Sequence, residues 1–329
     1  MILKNSKILI TGGTGSFGKE FVKMTLKKFN PKKIIIFSRD EIKQWDMALE
    51  YQGKKNVQFA IGDVRDKSSL LDALNGVDYV VHAAATKIVP TAELNPFECI
   101  KTNVLGSINV IEACIEKNIK KVISLSTDKA SNPINLYGAS KLAADKLFLA
   151  NDFKKKNSKT IFSVVRYGNV MGSRGSVIPF FYECFKNKKP ITVTDKKMTR
   201  FMLTLQEAVE LVWKAFSNGK GGEIFIKKCP SIKIIDLARI ISGDSKIKIV
   251  GIRPGEKMHE QLIGEADAQY TVESNNYYTI YSPHHFLNKS FLNKIKKNLV
   301  DSDFIYTSEN NKKWMSETFV KNWIRNNYK

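Results

Sequence analysis

Residue types that build metal centres and disulfides are scarce in this chain of 329 residues. It has only four cysteines and four histidines, and neither set shows a CxxC pair or the spacing of metal ligands. We therefore expect free thiols in a reducing compartment and predict no metal site. No apolar run approaches the roughly 20 residues that span a bilayer. The N-terminus also runs directly into a predicted strand, without a signal peptide. A cytoplasmic protein with no membrane partner is expected.

Acidic residues are outnumbered, since 53 Lys and Arg stand against 32 Asp and Glu, for a formal charge of +21. Such a balance can indicate a surface for nucleic acid or for an anionic membrane. Here the excess is mostly lysine spread along the chain, without interleaved aromatic residues or a nucleic-acid motif. We therefore expect solvated lysine faces that also attract anionic small substrates, and no nucleic-acid partner.

Short apolar runs rich in β-branched residues alternate with longer amphipathic segments through the first half of the chain. The runs predict buried parallel strands at residues 7–11, 33–38, 57–61, 79–83, 121–126 and 160–166. The segments between them predict helices near residues 16–29, 41–51, 67–75 and 97–118. Repeated βα units of these lengths predict an α/β fold with a doubly wound parallel sheet, the Rossmann architecture. We expect residues 1–165 to form this domain. Residues 166–329 would form a smaller mixed α/β domain, with some elements returning to the main sheet.

A glycine-rich turn follows the first predicted strand and opens the first predicted helix. It contains the spacing GxGxxG at Gly13, Gly15 and Gly18. Glycines allow a tight turn and a close approach of the backbone to a pyrophosphate, which the helix N-terminus then binds. The position between a strand and a helix makes this pattern specific for a dinucleotide. The cofactor contacts predicted in the loop are Gly12, Thr14, Gly15, Ser16, Phe17 and Gly18.

The end of the second predicted strand is expected to select the cofactor. An acidic residue there favours NAD because it binds the ribose 2′-hydroxyl, whereas arginine suits the 2′-phosphate of NADP. Ser38 and Arg39 therefore favour NADP, and Asp40 keeps NAD as the alternative. The ends of the third and fourth strands add predicted cofactor contacts at Asp63, Val64, Ala83, Ala84 and Ala85. The alanine run equally suits close packing of a helix on a strand.

Tyr137 and Lys141 are four residues apart and therefore share one helix face, where both would also contact the cofactor. An ammonium beside a phenol lowers its pKa from about 10. The phenolate can then remove a hydroxyl proton while hydride leaves the same carbon. Just upstream, Thr127-Asp128-Lys129 adds a second acid/base pair that alcohol oxidation does not require. A simple ion pair between Asp128 and Lys129 is the alternative, and the alternation of side chains at a strand end argues against it.

The loop TGGTGSFG, the alanine run and YxxxK together resemble the extended short-chain dehydrogenases/reductases. Within them, residues 5 to about 265 are similar to the UDP-N-acetylglucosamine 4,6-dehydratases. The motifs that carry this similarity are Phe37-Ser-Arg-Asp-Glu41, Ile61-Gly-Asp-Val-Arg-Asp66, Leu125-Ser-Thr-Asp-Lys-Ala130, Pro133-Ile-Asn-Leu-Tyr-Gly138, Val165-Arg-Tyr-Gly-Asn-Val170, Gly172-Ser-Arg-Gly-Ser-Val-Ile-Pro179, Met198-Thr-Arg-Phe201 and Gly251-Ile-Arg-Pro-Gly-Glu-Lys257. Because Tyr137 is intact and no membrane helix is predicted, the chain resembles the C5-inverting branch, which begins pseudaminic acid synthesis.

The resemblance implies roles for the acid/base residues. Tyr137 would take the O4 proton while hydride passes from sugar C4 to NADP⁺, and Lys141 would hold the nicotinamide ribose. Lys129, as a neutral amine, would remove the C5 proton, and Asp128 would protonate the departing C6 hydroxyl. Thr127 would orient the sugar near O4. Return of hydride to C6 and of a proton to the opposite face of C5 would complete the cycle.

The resemblance also implies a UDP-N-acetylglucosamine site, mainly in residues 166–329. Its contacts would be Lys87, Thr127, Asn169, Arg200, Arg253 and Glu256. For the arginines, surface salt bridges are the alternative, and Arg174 stands evenly between the two roles. A homo-oligomer, dimer or hexamer, is expected through helices near residues 97–118 and 138–150.

Two other functions compete with dehydration. One is a UDP-sugar 4-epimerase or reductase of the same fold, which catalyses no elimination and so gives Asp128 and Lys129 no task. The other is a non-catalytic, basic NADP-binding scaffold, for which a complete acid/base set would be superfluous.

Overall fold

Strands and helices alternate regularly through the first half of a computed structural model, which describes residues 2–151, 159–243 and 247–328. These elements are β1 (Lys7–Thr11), α1 (Ser16–Phe29), β2 (Lys33–Ser38), α2 (Glu41–Glu50), β3 (Val57–Ile61), α3 (Lys67–Ala73), β4 (Tyr79–His82), α4 (Val89–Leu94), α5 (Pro96–Ile100), α6 (Gly106–Glu116), β5 (Lys121–Thr127), α7 (Leu136–Asn151) and β6 (Ile161–Tyr167). The six strands predicted from the sequence all form, with ends shifted by no more than one residue.

The helix expected near residues 97–118 is interrupted. A π-helical turn at Lys101–Leu105 separates α5 from α6. Inside it, the Asn103 amide accepts from the Thr86 backbone N–H at 2.8 Å and donates to the Thr86 carbonyl at 2.9 Å. Asn103 also donates to Ser140 Oγ on α7 at 2.9 Å. Such widened turns commonly mark functional sites, and this one ties the loop after β4 to α7.

Elements of the second half are shorter and more varied. They are β7 (Asn169–Val170), α8 (Val177–Lys186), β8 (Ile191–Val193), β9 (Thr199–Leu203), α9 (Leu205–Asn218), β10 (Glu223–Lys227), β11 (Ser231–Lys233), α10 (Ile234–Ser242), β12 (Ile247–Ile249), β13 (Gln261–Ile263), α11 (Glu265–Ala268), β14 (Thr271–Ser274), β15 (Tyr277–Tyr281), α12 (Lys289–Ile295), β16 (Tyr306–Thr307) and α13 (Glu317–Asn327). None of the helices described is long and apolar enough to cross a membrane.

A nine-stranded sheet in the order β14-β15-β10-β6-β5-β4-β1-β2-β3 forms the centre of the fold. The seven strands from β10 to β3 are parallel, and β15 joins β10 in antiparallel register. The order 3-2-1-4-5-6 is that of a doubly wound dinucleotide-binding sheet, so the predicted fold class is confirmed. Ligands bind such sheets at the carboxyl ends of the strands, beside the reversal between β1 and β4.

Second-half elements contribute to both faces and to the edge of this sheet. β10, β14 and β15 extend it, while α9 packs against α1, where Trp213 Nε1 donates to Thr25 Oγ1 at 3.1 Å. A separate apolar cluster gathers α8, α10 and α13 around Phe181, Ile235 and Val320. Elements after residue 165 therefore do return to the main sheet. A domain boundary at residues 165/166 stays a prediction.

Candidate active site

The glycine loop between β1 and α1 packs directly against the alanine run after β4. Gly12 has φ of +65°, and a Cβ there would lie 2.9 Å from the Ala84 backbone. Both constraints require glycine. Thr11 Oγ1 accepts from the backbone N–H groups of Ala83 at 3.1 Å and Ala84 at 3.2 Å, which fixes the approach. The result is a backbone cradle at the N-terminus of α1, a feature that fits the pyrophosphate of a dinucleotide.

The far rim of this cradle comes from the second half of the chain. The Arg174 backbone N–H donates to Ser16 Oγ at 3.0 Å, and its carbonyl accepts from Lys87 Nζ at 2.9 Å. One main-chain segment thus connects the glycine loop with Lys87. Phe17 stacks on Phe21 within α1, with ring centroids 6.0 Å apart, so its ring belongs to the core while its backbone belongs to the loop.

Polar groups at the end of β2 are largely engaged within the protein. Asp40 is the N-cap of α2 and accepts from the Lys43 backbone N–H at 2.9 Å. The Lys43 side chain also pairs with Asp40 and lowers the pKa of this carboxyl. Ser38 Oγ accepts from Gln44 Nε2 at 3.0 Å. Asp40, the residue that favoured NAD in the sequence, is therefore occupied as a helix cap.

Arg39 differs from these neighbours because its side chain remains 57% exposed. Its nearest acidic partner is Asp63, at 3.7 Å from Nη1. Asp63 is held more closely by Arg65, whose Nε donates to it at 2.8 Å. Val64, the next residue in the chain after Asp63, is buried. The structure thus brings Arg39 and Asp63 together and leaves the Arg39 guanidinium available to an incoming anion.

The chain turns sharply at the end of β5, where Thr127, Asp128 and Lys129 lie. A 3₁₀ turn begins at Asp128, and Thr127 Oγ1 accepts from the Lys129 backbone N–H at 3.3 Å. Such a turn ends the alternation of side chains that a strand would impose. Asp128 is fully buried, and Lys129 reaches the surface with 22% of its side chain.

Asp128 and Lys129 form the ion pair that sequence alternation argued against. Lys129 Nζ lies 3.1 Å from Asp128 Oδ1, because the 3₁₀ turn brings both side chains to one side. That part of the sequence interpretation is wrong. Burial alone would lower the pKa of Lys129, but two carboxylates outweigh it and the pKa is raised. Burial raises the pKa of Asp128, against the opposing charge of Lys129.

The second carboxylate is Glu260, which sequence reasoning missed. Its Oε1 lies 3.1 Å from Lys129 Nζ and 3.6 Å from Arg200 Nε, and its side chain is 2% exposed. We call Asp128, Lys129, Arg200 and Glu260 the acid–base cluster. A signal was present, since Glu260 follows the GIRPGEK motif by three residues and directly precedes a short apolar strand. Its position next to Lys129, at the end of β5, depends on the tertiary fold.

Tyr137 and Lys141 lie on the first turns of α7, as their spacing predicted. Gly138 allows this helix to touch the 3₁₀ turn, because a Cβ there would lie 2.3 Å from the Lys129 carbonyl oxygen. Tyr137 shares a side-chain hydrogen bond with Thr127. Lys141 is 3% exposed. The structure therefore gathers all five predicted catalytic residues at one end of β5.

The charge around Tyr137 differs from the sequence expectation. Burial raises the pKa of Tyr137 to about 12, and the cation that opposes this is Lys129, with help from the Thr127 hydrogen bond. Lys141 was expected to exert that effect. Instead, burial lowers the pKa of Lys141, against the charge of Asp145. With only these protein groups around it, Tyr137 keeps its proton at neutral pH. A further positive charge is needed to make it a base.

Of the predicted substrate contacts, Arg200 belongs to the acid–base cluster on β9, and Asn169 lies on β7, which pairs with β9. Asn169 begins β7, and its Oδ1 is buried without a hydrogen-bond partner among the residues described. Arg200 on β9 donates from Nη1 to the carbonyls of Thr199 at 2.7 Å and Met258 at 3.1 Å. The unpaired oxygen of Asn169 suits a ligand donor. Arg200 is largely engaged within the protein, where it contacts Glu260.

Arg253 and Glu256 form a separate group on the loop before β13. Thr194 Oγ1 donates to Glu256 Oε2 at 3.1 Å, and Arg253 Nη1 lies 3.9 Å from Glu256 Oε1. Arg253 is 56% exposed. Asn135, which precedes α7, donates to the Gly255 carbonyl at 2.8 Å. That bond links this loop to the helix of Tyr137.

A second buried ion cluster lies behind α7. Arg166 on β6 is 2% exposed; its Nη2 lies 3.4 Å from Asp145 Oδ2, and its Nη1 lies 2.9 Å from Asp267 Oδ2. Ser126 Oγ donates to Asp145 at 2.6 Å. We call Asp145, Arg166 and Asp267 the α7–β6 ion cluster. It fastens α7 to the sheet and to α11. Among the described residues, no three His, Cys, Asp or Glu gather to hold a metal ion.

A doubly wound sheet, a glycine cradle at its switch point and a Tyr–Lys helix beside β5 define a short-chain dehydrogenase/reductase. The particular family follows from comparison of sequences. A family model described as polysaccharide biosynthesis protein matches residues 8–282, and the chain belongs to this family.

Similar proteins include an inverting UDP-N-acetylglucosamine 4,6-dehydratase from Campylobacter jejuni, 50% identical over 322 residues and covering 96% of each chain. A protein named UDP-glucose 4-epimerase from Rickettsia bellii is 45% identical over 315 residues, which cover 93% of this chain and 92% of that one. The X-ray structure of Pen from Bacillus thuringiensis superposes with a TM-score of 0.90 at 38% identity, covering 99% of this chain and 98% of that one. The resemblance inferred from the motifs is confirmed.

Proposed function

We propose that this protein is an NADP-dependent UDP-N-acetylglucosamine 4,6-dehydratase that inverts the configuration at C5. The observation that carries the proposal is the buried contact between Asp128 and Lys129, beside Tyr137. Oxidation at C4 needs only Tyr137 and Lys141. An acid and a base placed next to them have a task only if a further bond is broken. The 50% identity to the Campylobacter jejuni enzyme supports the same conclusion.

Tyr137 would begin the reaction by accepting the O4 proton of the sugar. When bound, NADP⁺ would supply a hydride acceptor for C4, in its reduced form a hydride donor for C6, and a positive charge that favours the phenolate of Tyr137. Lys141 would hold the nicotinamide ribose, and Thr127 would hold O4 through the hydroxyl that also contacts Tyr137. The glycine cradle, from Gly12 to Gly18, would bind the pyrophosphate.

The Asp128–Lys129 pair can supply both an acid and a base by a single proton transfer. Moving the ammonium proton across the 3.1 Å contact to Asp128 Oδ1 leaves a neutral amine and a carboxylic acid. A bound sugar that excludes water favours this neutral pair over the ion pair. The Lys129 amine then takes the C5 proton, and the C5–H electrons form the C5–C6 double bond. The C6–O bond breaks, and the hydroxyl leaves as water with the proton of Asp128.

The nucleotide end of the substrate would be held by the second half of the chain. Asn169 offers a buried, unpaired amide oxygen, Arg253 an exposed guanidinium and Glu256 a carboxylate for ribose hydroxyls. Lys87, whose Nζ donates to the Arg174 carbonyl at the rim of the cofactor cradle, would contact the sugar. Arg200 would reach the diphosphate with the donors that it does not direct at Thr199 and Met258.

The deciding experiment is incubation with UDP-N-acetylglucosamine and NADP⁺, followed by mass spectrometry and NMR. We expect a 4-keto-6-deoxy sugar lighter by one water, with inverted C5. In deuterated water the product should carry deuterium at C5, and substrate deuterated at C4 should deliver its label to C6. A product of unchanged mass would contradict dehydration. By the family resemblance, the product would enter pseudaminic acid synthesis.

A UDP-sugar 4-epimerase is the second candidate, favoured by the name of the Rickettsia bellii relative. An epimerase would return hydride to C4 and would leave Asp128 and Lys129 without a step. It predicts a C4 epimer of unchanged mass from UDP-glucose or UDP-N-acetylglucosamine. Assays of both sugars with the same preparation separate the two functions.

NADP is proposed over NAD because of Arg39 and Asp40. The exposed Arg39 guanidinium can bind a 2′-phosphate, whereas Asp40 is engaged by Lys43. We expect Arg39→Ala to weaken NADP binding roughly tenfold and to leave NAD binding nearly unchanged. Calorimetric titration of both cofactors measures this. Equal losses for the two cofactors would contradict the assignment.

A homo-oligomer is also proposed. Leu94 and Phe97, on the short helices before α6, are 81% and 79% exposed, and Leu105 in the π-helical turn is 48% exposed. Large apolar side chains exposed on consecutive short helices suit contact with a second copy of the chain. Size-exclusion chromatography with light scattering should give a mass of at least two chains.

A further inference from the structure

Glu260 has no task in the reaction described above, although it lies within the catalytic constellation. Lys129 Nζ stands between two carboxylate oxygens at the same distance, 3.1 Å from Asp128 Oδ1 and 3.1 Å from Glu260 Oε1. A buried ammonium needs one counter-anion to offset its charge. Arg200 offsets part of the charge of this second carboxylate from 3.6 Å, but its position against Lys129 still requires an explanation, because burying charges is costly even when they are paired.

The two carboxylates differ in the charges around them. Burial alone would raise the pKa of Glu260, but Lys129, Arg200 and Lys257 outweigh it, and the pKa is lowered. For Asp128 burial prevails, and the charge of Glu260 acts in the same direction to raise its pKa. Glu260 thus remains an anion, whereas Asp128 is the member that readily takes a proton.

We propose that Glu260 is a positioning residue for water elimination: as the permanent counter-anion of Lys129, it leaves Asp128 free to carry the proton that departs with the C6 hydroxyl. The inference rests on the proposed function. When Lys129 gives up its proton, two acceptors lie within 3.1 Å. The guanidinium of Arg200 beside Glu260 directs that proton to Asp128, the carboxyl that protonates the leaving group.

The C-terminal part of the chain holds Glu260 in place. Ser308, fully buried just beyond β16, accepts from the Glu260 backbone N–H at 2.9 Å, and its own N–H donates to the Glu260 carbonyl at 2.8 Å. Ser308 Oγ also contacts Thr199 Oγ1 at 2.7 Å, on the strand that carries Arg200. One serine thereby fixes both Glu260 and the strand of its cationic partner. The segment after residue 265, which the motif resemblance did not cover, thereby acquires a role in the site.

Glu260→Gln tests the inference, since it removes the charge and keeps the shape. Oxidation at C4 should survive, because Tyr137 and Lys141 are untouched, and reduced cofactor should accumulate in a single turnover. Release of water should slow roughly 10²-fold. The alkaline limb of the dehydration rate should move to lower pH by roughly one unit, because the Asp128–Lys129 pair loses a neighbouring negative charge.

The pH effect must be separated from other groups near Asp128. Besides Lys129 and Glu260, these are Arg200, Lys257, Tyr137 and Cys229. Tyr137 acts in C4 oxidation. The pH dependence is therefore measured on the rate of water release after reduced cofactor has formed, when that oxidation is complete. Glu309→Gln is the matched control. This carboxylate, 67% exposed, lies 3.5 Å from His259, and its loss should change neither step.

A Glu260→Gln variant that releases water at the wild-type rate, with an unmoved alkaline limb, would overturn the inference. If that variant fails to fold, Glu260→Asp decides instead. It keeps the negative charge, so the alkaline limb should stay at the wild-type pH while the rate of water release falls. A shifted limb in Glu260→Asp would equally overturn the proposal. Failure of the wild-type protein to release any water is a different result, which refutes the proposed function itself.

Discussion

Two ion clusters in this protein each hold a cation between two carboxylates, and the acid–base cluster adds a second cation, Arg200. In the acid–base cluster, Lys129 lies 3.1 Å from both Asp128 and Glu260. In the α7–β6 ion cluster, Arg166 lies 3.4 Å from Asp145 and 2.9 Å from Asp267. The cations differ in two respects: a lysine can lose its proton and an arginine cannot, and 22% of Lys129 is exposed against 2% of Arg166.

A buried charge cluster does not by itself identify an active site. Both clusters contain carboxyl groups whose pKa is raised by burial, Asp128 and Asp145. Perturbed pKa values therefore point to both equally. What separates them is whether the central cation can exchange a proton and reach a ligand. The acid–base cluster is built for proton transfer, and the α7–β6 ion cluster for holding α7 against the sheet.

The largest expected effect comes from making the first cluster resemble the second. Lys129→Arg keeps the positive charge between Asp128 and Glu260 but removes the proton exchange. We expect dehydration to fall by roughly 10³-fold or more, while the free energy of unfolding changes little. Mass spectrometry of the product and urea denaturation measure the two quantities. Dehydration at a rate near wild type would refute the distinction between the clusters.

Breaking the second cluster should affect stability instead. Arg166→Met leaves Asp145 and Asp267 without their cation, and removal of one partner of a buried pair costs about 3 kcal/mol or more. We expect the free energy of unfolding to fall by that amount. The variant that remains folded should keep the wild-type pH profile of dehydration. A changed profile would show that this cluster also takes part in the chemistry.

The parallel sheet and glycine loop could be predicted because their signals are local. Each predicted strand is a continuous apolar run, and each βα unit repeats the pattern. The break at Lys101–Leu105 could not be foreseen, since it depends on Asn103 contacting Thr86 and Ser140 from other parts of the chain. The return of β10, β14 and β15 to the sheet was expected only in outline.

The active site was predictable where its residues are close in sequence, as with Asp128, Lys129, Tyr137 and Lys141. It was not predictable where partners meet through the fold. Glu260 lies more than a hundred residues from Lys129 and reaches it through β13 and Ser308. The ion pair of Asp128 with Lys129 was mispredicted because a 3₁₀ turn replaced the strand geometry that had been assumed.

Two adjacent residues at the end of β5 offer a finer comparison. Ser126 Oγ donates to Asp145, in the α7–β6 ion cluster, at 2.6 Å, whereas the Thr127 hydroxyl contacts Tyr137 and Asp128. Ser126→Ala should lower the free energy of unfolding by about 2 kcal/mol, because a buried carboxylate loses a donor. Thr127→Val should lower the dehydration rate roughly tenfold with little loss of stability. The same response from both variants would contradict the assignment of Ser126 to stability and of Thr127 to the reaction.

The smallest expected effect concerns how Asp128 and Glu260 contribute to the free energy of unfolding. As pH rises, the two contributions should change in opposite directions. The pKa of Asp128 is raised in the folded protein, so folding binds its proton more tightly than the unfolded chain does, with an unfolded pKa of about 3.9. The stability linked to this group is therefore present at low pH and is lost as pH rises through the folded pKa. For Glu260 the folded pKa is lowered, so its stability is present above about 4.3 and is lost as pH falls.

Urea denaturation of the wild type, Asp128→Asn and Glu260→Gln across acidic to neutral pH measures this difference in sign. Each substitution removes one titrating group, so the difference from the wild type reports that group together with its effect on its charged neighbours. For Asp128 the wild-type advantage should shrink as pH rises, and for Glu260 it should grow. Lys129 opposes the upward shift of the Asp128 pKa and so reduces that slope, whereas burial opposes the downward shift that Lys129 causes in the Glu260 pKa and reduces the other. Slopes of the same sign would mean that the two carboxylates share the proton equally, and Asp128 would then have no privileged role as the acid.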